Sequence, residues 1–152
     1  MASPINRAQP PTLEKWSELR QLLIARFWEV LPYLDKGDDT YIRQRFCEFS
    51  QTLIDYLAMS HFQAYAALLE KISTPANGLK YKHLDKTYDN LIRNTQEIMK
   101  VQQNYEEESS NKPNNWLRSG LSKLGKLMSD HLDMEDHFIK QIKTLAESPV
   151  TQ

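Results

Sequence analysis

The chain has 152 residues, of which 40% are hydrophobic and 26% charged, so it fits one globular domain and excludes a disordered chain. Its 19 Lys and Arg residues against 20 Asp and Glu residues leave a net charge of −1, and we expect no direct DNA binding because no overall positive field attracts phosphates. The single cysteine, Cys47, excludes an internal disulfide, and we interpret it as an inert buried thiol in a protein of the cytoplasm. No apolar run approaches the about 18 residues of a membrane span, so no membrane association is expected.

Apolar residues recur at helical spacing through most of the chain, and the 4 glycines are too few for the turns of an all-β fold. We expect residues 1–12 to be a disordered lead, 13–147 to be a single domain and 148–152 to be a disordered tail. Within the domain the spacing predicts four long helical segments, over residues 13–34, 39–72, 80–107 and 116–146. The fold class is therefore all-α, an antiparallel up-down bundle of four helical segments.

The first two segments carry internal signals of interruption. Pro32 is expected to kink or end the first helix. In the second, Ser60-His61-Phe62-Gln63 has the form of a capping box, so we predict a kink or a split near Ser60. Trp28 and Ile24 lie off the apolar stripe of the first helix and leave self-association as an open possibility.

Several polar residues lie where the helices should face the interior. Glu135 is at the centre of the apolar stripe of the last segment, and His131 is one turn before it. Ser60 on the second segment, and Asn94 and Thr95 on the third, complete a predicted polar interior layer. We expect His131, Asn94 and Thr95 to be the candidate donors to Glu135, because a buried carboxylate requires donors or a proton. The layer is consistent with a device that fixes helix register, with a binding groove, or with a metal- or small-molecule-sensing site.

No catalytic motif accompanies this layer. His131-x-x-x-Glu135 is an isolated element of a metal-binding pattern, and the Glu-x-x-His pairs of di-iron bundles do not occur. The chain also lacks a phosphate-binding loop and a nucleophile motif. We therefore predict that the protein is not an enzyme, has no metal site and has no cofactor.

An acidic residue and an aromatic residue share the outer side of the second segment. On a continuous helix Asp55 points away from the apolar stripe, and Phe62 lies on the same side. An acid beside an exposed aromatic ring suits a partner that carries Arg or Lys next to an apolar pocket. A merely solvated helix face remains the alternative.

Four sequence blocks resemble the Rsd/AlgQ family of bacterial anti-sigma factors. They are Trp16-x-x-x-Arg20-x-Leu22-Leu23, then Phe49-x-Gln51-x-Leu53-Ile54-Asp55-Tyr56-Leu57 followed by His61-Phe62-x-x-Tyr65, then Asn94-Thr95-Gln96-x-Ile98-Met99, and finally Met134-Glu135-Asp136-x-x-Ile139. They occur in the family's order and cover the whole predicted domain. Ser60 stands where the family usually has Gly, and we expect it to interrupt the helix by capping.

The resemblance implies a binding protein and not a catalyst. The implied partner is the primary sigma factor, bound 1:1, with its C-terminal −35-reading domain occluded. Promoter recognition by the housekeeping holoenzyme would fall, and alternative sigma factors would compete better. The residues that the resemblance places at the partner are Asp55, His61, Phe62, Tyr65 and Asp136.

Overall fold

The computed structural model describes residues 11–33, 39–72, 81–108 and 114–147. Nearly all of these residues are helical, and the described part of the chain contains no strand. Residues 11 and 12 of the predicted lead belong to the first helix, whereas residues 1–10 and the predicted tail lie outside the described residues. No helix within the described ranges is long and apolar enough to cross a membrane.

Four helical segments follow one another, which confirms the all-α prediction. Helix α1 (Pro11–Val30) continues into a 3₁₀ turn, Leu31–Tyr33. The second segment consists of α2 (Asp39–Met59), a π-helical turn (Ser60–Ala64) and α3 (Tyr65–Glu70). Helices α4 (Tyr81–Glu108) and α5 (Asn114–Glu147) are the third and fourth segments.

Proline shortens the first helix. The α-helical part ends at Val30, before the residue 34 predicted from periodicity. Pro32 has no backbone N–H to continue the helical ladder, and its ring disfavours the α conformation at Leu31. The remaining residues therefore form the tighter 3₁₀ turn.

The second segment passes through Ser60 as a continuous helix, so the capping-box interpretation is wrong. Met59 has α-helical dihedrals, φ −63° and ψ −39°, and no side chain caps the turn. The backbone N–H of Tyr65 donates instead to the carbonyl of Ser60, five residues earlier, which is the π-helical pattern. The Ser60 hydroxyl donates to the Tyr56 carbonyl at 2.7 Å. The interruption near Ser60 is thus a widened turn.

Neighbouring helices in the bundle run antiparallel. On the α1–α2 side Trp16 stacks on Tyr56, and farther along Phe27 contacts Phe49. Residue numbers rise on α1 as they fall on α2, which defines opposite directions. Three other pairs of segments are antiparallel in the same way. Between α4 and α5 the contacts are Asn94–Leu127 and Tyr105–Ser119. Between α1 and α5 they are Arg20–Leu132 and Phe27–Gly125, and between the second segment and α4 they are His61–Thr95 and Phe46–Tyr105. The α1–α5 and α2–α4 seams therefore lie on opposite sides.

The core follows the predicted stripes with one difference at the surface. Cys47 is exposed, so its prediction as a buried thiol is wrong. Its neighbours Phe46 and Phe49 occupy the inward positions of α2, and the rotation of about 100° per residue turns Cys47 outward. Trp28 is 65% exposed on α1, in agreement with its predicted position off the apolar stripe.

Close packing near the start of α5 depends on Gly120. A Cβ at this position would lie 2.4–2.8 Å from three ring atoms of Tyr105. The Tyr105 ring is held between α4 and α5 by Trp116, with ring centroids 4.1 Å apart. A larger residue at position 120 must therefore displace a buried ring.

Replacing Gly120 by Ala should lower the free energy of unfolding by about 1–3 kcal/mol, because of this overlap. At an open helical site the same change should raise it by up to about 1 kcal/mol, so the sign is diagnostic. Urea unfolding followed by circular dichroism measures the difference, with Ser122→Ala on the exposed side of α5 as the control. A stabilised Gly120→Ala protein would show that the ring moves freely.

Candidate functional site

A fully buried carboxylate lies at the centre of the bundle. Glu135 of α5 has no exposed surface, and its side chain accepts hydrogen bonds from two phenols. The Tyr56 hydroxyl donates to Oε1, and the Tyr65 hydroxyl donates to Oε2 at 2.6 Å. His131 Nε2 lies 3.5 Å from Oε2. Elements from three parts of the chain therefore meet at one acidic group.

Arg20 brings positive charge to this group from α1. Its Nε lies 3.8 Å from Glu135 Oε1, and its Nη2 donates to the Leu132 carbonyl at 3.1 Å and to Asp136 Oδ1 at 2.7 Å. Burial acts to lower the pKa of Arg20, but the neighbouring Tyr56, Asp136 and Glu135 raise it by more. Arg20 therefore stays charged and ties the buried carboxylate to the α1–α5 seam.

The two phenols remain donors across the physiological range. Burial, followed by the charge and the hydrogen bond of Glu135, raises the pKa of Tyr56 and that of Tyr65 far above the ordinary value. Trp16 of α1 stacks on the Tyr56 ring, with centroids 5.9 Å apart and planes 10° apart. Its indole N–H donates to the Ser60 hydroxyl at 2.8 Å. The network thus continues from Glu135 to the π-helical turn.

The predicted donors Asn94 and Thr95 do not reach Glu135. Asn94 Nδ2 lies 3.1 Å from His131 Nδ1 and donates to the Leu127 carbonyl, while Thr95 Oγ1 lies 2.7 Å from His61 Nε2. Both are half-buried, whereas Ser60, His131 and Glu135 are fully buried. Of the three expected donors only His131 is near the carboxylate.

The partners of Glu135 that sequence reasoning missed are the two phenol donors, Tyr56 and Tyr65, and the charged group of Arg20, which forms an ion pair with it. Tyr56 was interpreted as an apolar member of the stripe and Tyr65 as a partner-binding residue, but a phenol facing the interior carries a hydroxyl that a buried carboxylate can use. Two tyrosines on the inward side of the second segment were the available signal. Arg20 gave a weaker signal, since an arginine beside a stripe usually reaches solvent.

A small groove opens between the second segment and α4. Its volume is about 270 Å³. Mostly apolar side chains line it, together with the His61–Thr95 pair. The lining residues are Ile54, Leu57, Ala58, His61, Phe62, Ile92, Thr95, Gln96 and Met99. Phe62 is 82% exposed at this groove.

The five residues that the resemblance placed at the partner do not share one surface. Phe62 and half-buried His61 line the groove, and Asp55 is exposed on the adjoining helix face, where Gln51 donates to it at 2.9 Å. Tyr65 is buried, because its hydroxyl turns inward to Glu135, so its side chain is not available at the surface. Asp136 lies on the opposite seam, bound to Arg20.

His61 is the titratable group at the groove. Burial, followed by the nearby charge of His131, lowers the pKa of His61 below its ordinary value, although Glu135 opposes the shift. The ring packs edge-on against Tyr65, with centroids 4.9 Å apart. Neutral His61 therefore suits the mostly apolar lining of the groove. Within the described segments no group of three or more His, Cys, Asp or Glu side chains could hold a metal ion.

Comparison with known proteins places this arrangement in a family. The family model described as "Regulator of RNA polymerase sigma(70) subunit, Rsd/AlgQ" matches residues 7–143. The chain belongs to the Rsd/AlgQ family. Proteins named "Regulator of sigma D" from Salmonella paratyphi A and Salmonella newport are each 27% identical to this Rsd/AlgQ chain over 131 residues, covering 84% of it and 78% of the relative.

Removing the central acid of this Rsd/AlgQ protein should be more costly than neutralising it. Glu135→Ala leaves two phenols without their acceptor and Arg20 without one of its two neighbouring acids, and it should lower the free energy of unfolding by about 3 kcal/mol or more. Glu135→Gln keeps an acceptor oxygen and should cost about 1–2 kcal/mol. Chemical denaturation compares both with exposed Asp133→Ala, which should stay within about 0.5 kcal/mol of the wild type. Equal stability of Glu135→Ala and the control would contradict the geometry.

The raised tyrosine pKa values predict loss of stability in alkali. Unfolded tyrosines ionise near pH 10, while Tyr56 and Tyr65 stay protonated in the bundle, so the unfolded state loses protons first. Stability is complete below pH 10 and should fall above it by about 1.4 kcal/mol per pH unit for each phenol. Urea melts between about pH 9 and 11 measure the slope. Tyr65→Phe should reduce it, and an unchanged slope would be inconsistent with a buried Tyr65 donor.

Proposed function

We propose that this Rsd/AlgQ protein binds the primary sigma factor of RNA polymerase as a 1:1 complex through the surface formed by Asp55, Phe62 and the α2–α4 groove. We call this surface the docking face. The observation that carries the proposal is the exposed Phe62 ring beside a mostly apolar groove, in a chain of a family described as sigma(70) regulators. Two relatives are named regulators of sigma D.

The groove is better suited to a protein side chain than to a small molecule. Its volume of about 270 Å³ is below the about 300–1,000 Å³ of typical ligand pockets. Its exposed rim supplies aromatic and thioether surface, from Phe62 and Met99, of the kind enriched at protein interfaces. This favours a protein partner over the alternative of a small-molecule sensor.

The charge at the docking face suits a DNA-reading partner. The contact described for exposed Asp55 is with the uncharged amide of Gln51, so its carboxylate can receive a cation. A domain that reads the −35 element carries Arg and Lys for phosphates and base edges. An acid that pairs with such a side chain competes directly with DNA, which supports occlusion of the C-terminal domain of sigma.

This role is regulatory and not catalytic. A protein that holds free primary sigma factor in the cytoplasm lowers the amount of housekeeping holoenzyme able to recognise promoters. Alternative sigma factors then compete better for core polymerase. Binding of this kind requires a stable face of fixed shape and no cofactor.

Truncation at the docking face should weaken binding without unfolding the bundle. Asp55→Ala should cost about 2 kcal/mol or more of binding free energy, as expected for loss of a desolvated charge contact, and Phe62→Ala a similar amount. Both side chains are exposed, so melting temperatures should stay near that of the wild type. Isothermal titration calorimetry with purified primary sigma factor measures affinity and stoichiometry together.

Matched controls lie on other faces of the protein. Asp133→Ala removes an exposed acid from α5, and Trp28→Ala removes a 65% exposed aromatic from α1. Both should bind like the wild type. Wild-type affinity in folded Asp55→Ala and Phe62→Ala proteins would remove the docking face from the interface. Absence of any binding by the unmodified chain at micromolar concentration would refute the proposed function.

A further inference from the structure

We propose that Ser60 is a positioning residue for the docking face: its hydroxyl, held by Trp16 of α1, maintains the π-helical turn that presents Phe62. The inference rests on the proposed function, since the docking face is the surface it concerns. Ser60 is fully buried behind that face, and Phe62, two residues later in the chain, is 82% exposed.

The two shortest hydrogen bonds of the Ser60 hydroxyl tie the turn to α1. The hydroxyl has one hydrogen, which goes to the Tyr56 carbonyl at 2.7 Å. Its oxygen accepts the indole N–H of Trp16 at 2.8 Å. Glu135 Oε2 lies farther away, at 3.3 Å. The hydrogen bond to a carbonyl four residues earlier is the type that loosens and bends helices, so it favours the widened turn.

The π-helical turn reduces the angle between the directions in which Tyr56 and Tyr65 point from the helix axis. In a uniform α-helix, nine residues rotate by about 900°, which would point Tyr56 and Tyr65 to opposite sides. Both phenols nevertheless donate to Glu135. The Tyr65 N–H to Ser60 carbonyl bond adds a residue to one turn and reduces that divergence.

The same turn sets the neighbouring side chains of the docking face. It directs His61 to Thr95 of α4, at 2.7 Å, and leaves Phe62 outside. Conversion of the turn to regular α-helix would rotate Phe62 relative to Asp55, which precedes the turn. Ser60 therefore acts on the partner through Phe62 and touches the partner nowhere itself, because it is fully buried.

Two variants remove the contact from either side. Ser60→Ala deletes the hydroxyl, and Trp16→Phe deletes the indole N–H while keeping an aromatic ring on Tyr56. Each is made alone and in a Phe62→Ala background and titrated with purified primary sigma factor by calorimetry, at a temperature where circular dichroism shows every variant folded. Hydrogen exchange of the Tyr65 amide, read by NMR on the free proteins, follows the turn itself.

Each single change should weaken binding about three- to tenfold, the effect of one ordinary hydrogen bond. In the Phe62→Ala background neither should weaken it further, and the Tyr65 amide should exchange faster in both. The matched control is Thr52→Ala in α2, before the turn. It removes a hydrogen bond of the same kind, from the Thr52 hydroxyl to the Glu48 carbonyl at 2.8 Å. Its affinity should equal that of the wild type.

Three results would overturn the inference. Wild-type affinity in Ser60→Ala and Trp16→Phe shows that the contact does not position the face. Equal weakening with and without Phe62 shows that Ser60 acts elsewhere than through that ring. Unchanged exchange at the Tyr65 amide shows that the turn does not depend on the hydroxyl. Failure of the unmodified chain to bind refutes the proposed function itself, whereas normal binding by the unmodified chain together with any one of these three results refutes the positioning role alone.

Discussion

The buried carboxylate of Glu135 is the constraint on which the bundle depends. A carboxyl group without contact with water is strongly unfavourable unless polar partners surround it. Here phenols of α2 and α3 donate to it, and Arg20 of α1 and His131 of α5 lie 3.8 Å and 3.5 Å from its oxygens. Because each donor stands at one position on its own helix, the carboxylate specifies how the helices are aligned. Apolar packing alone permits neighbouring registers, and an unsatisfied phenol or guanidinium penalises them.

This interior constraint also shapes the surface. Tyr56 and Tyr65 can both serve Glu135 because the chain widens into a π-helical turn between them. That turn lies directly beneath the α2–α4 groove, directs His61 to Thr95 and leaves Phe62 outside. The polar layer therefore has two sides. Around Glu135 it fixes helix register, and at the His61–Thr95 pair it borders the docking face.

The fold could be predicted from the sequence because apolar residues at steps of three and four report helices directly. Glu135 was found for the same reason, as an acid in the middle of such a stripe. The π-helical turn was missed although Tyr56, Ser60, Ala64 and Leu68 follow at steps of four, a run that drifts by about 40° per step on a regular helix. The separation of Asp136 from Asp55 could not be predicted, because periodicity fixes faces on one helix and not which helices become neighbours.

Mapping the bound surface tests most directly whether the partner binds at the docking face. Backbone amide chemical shifts of the isotope-labelled protein are recorded with increasing amounts of the C-terminal domain of the primary sigma factor. We expect the largest changes along the docking face, at Asp55, Phe62 and Met99, with Arg20 and Asp136 on the opposite seam nearly unaffected. Changes concentrated at the α1–α5 seam, with the groove silent, would contradict the account.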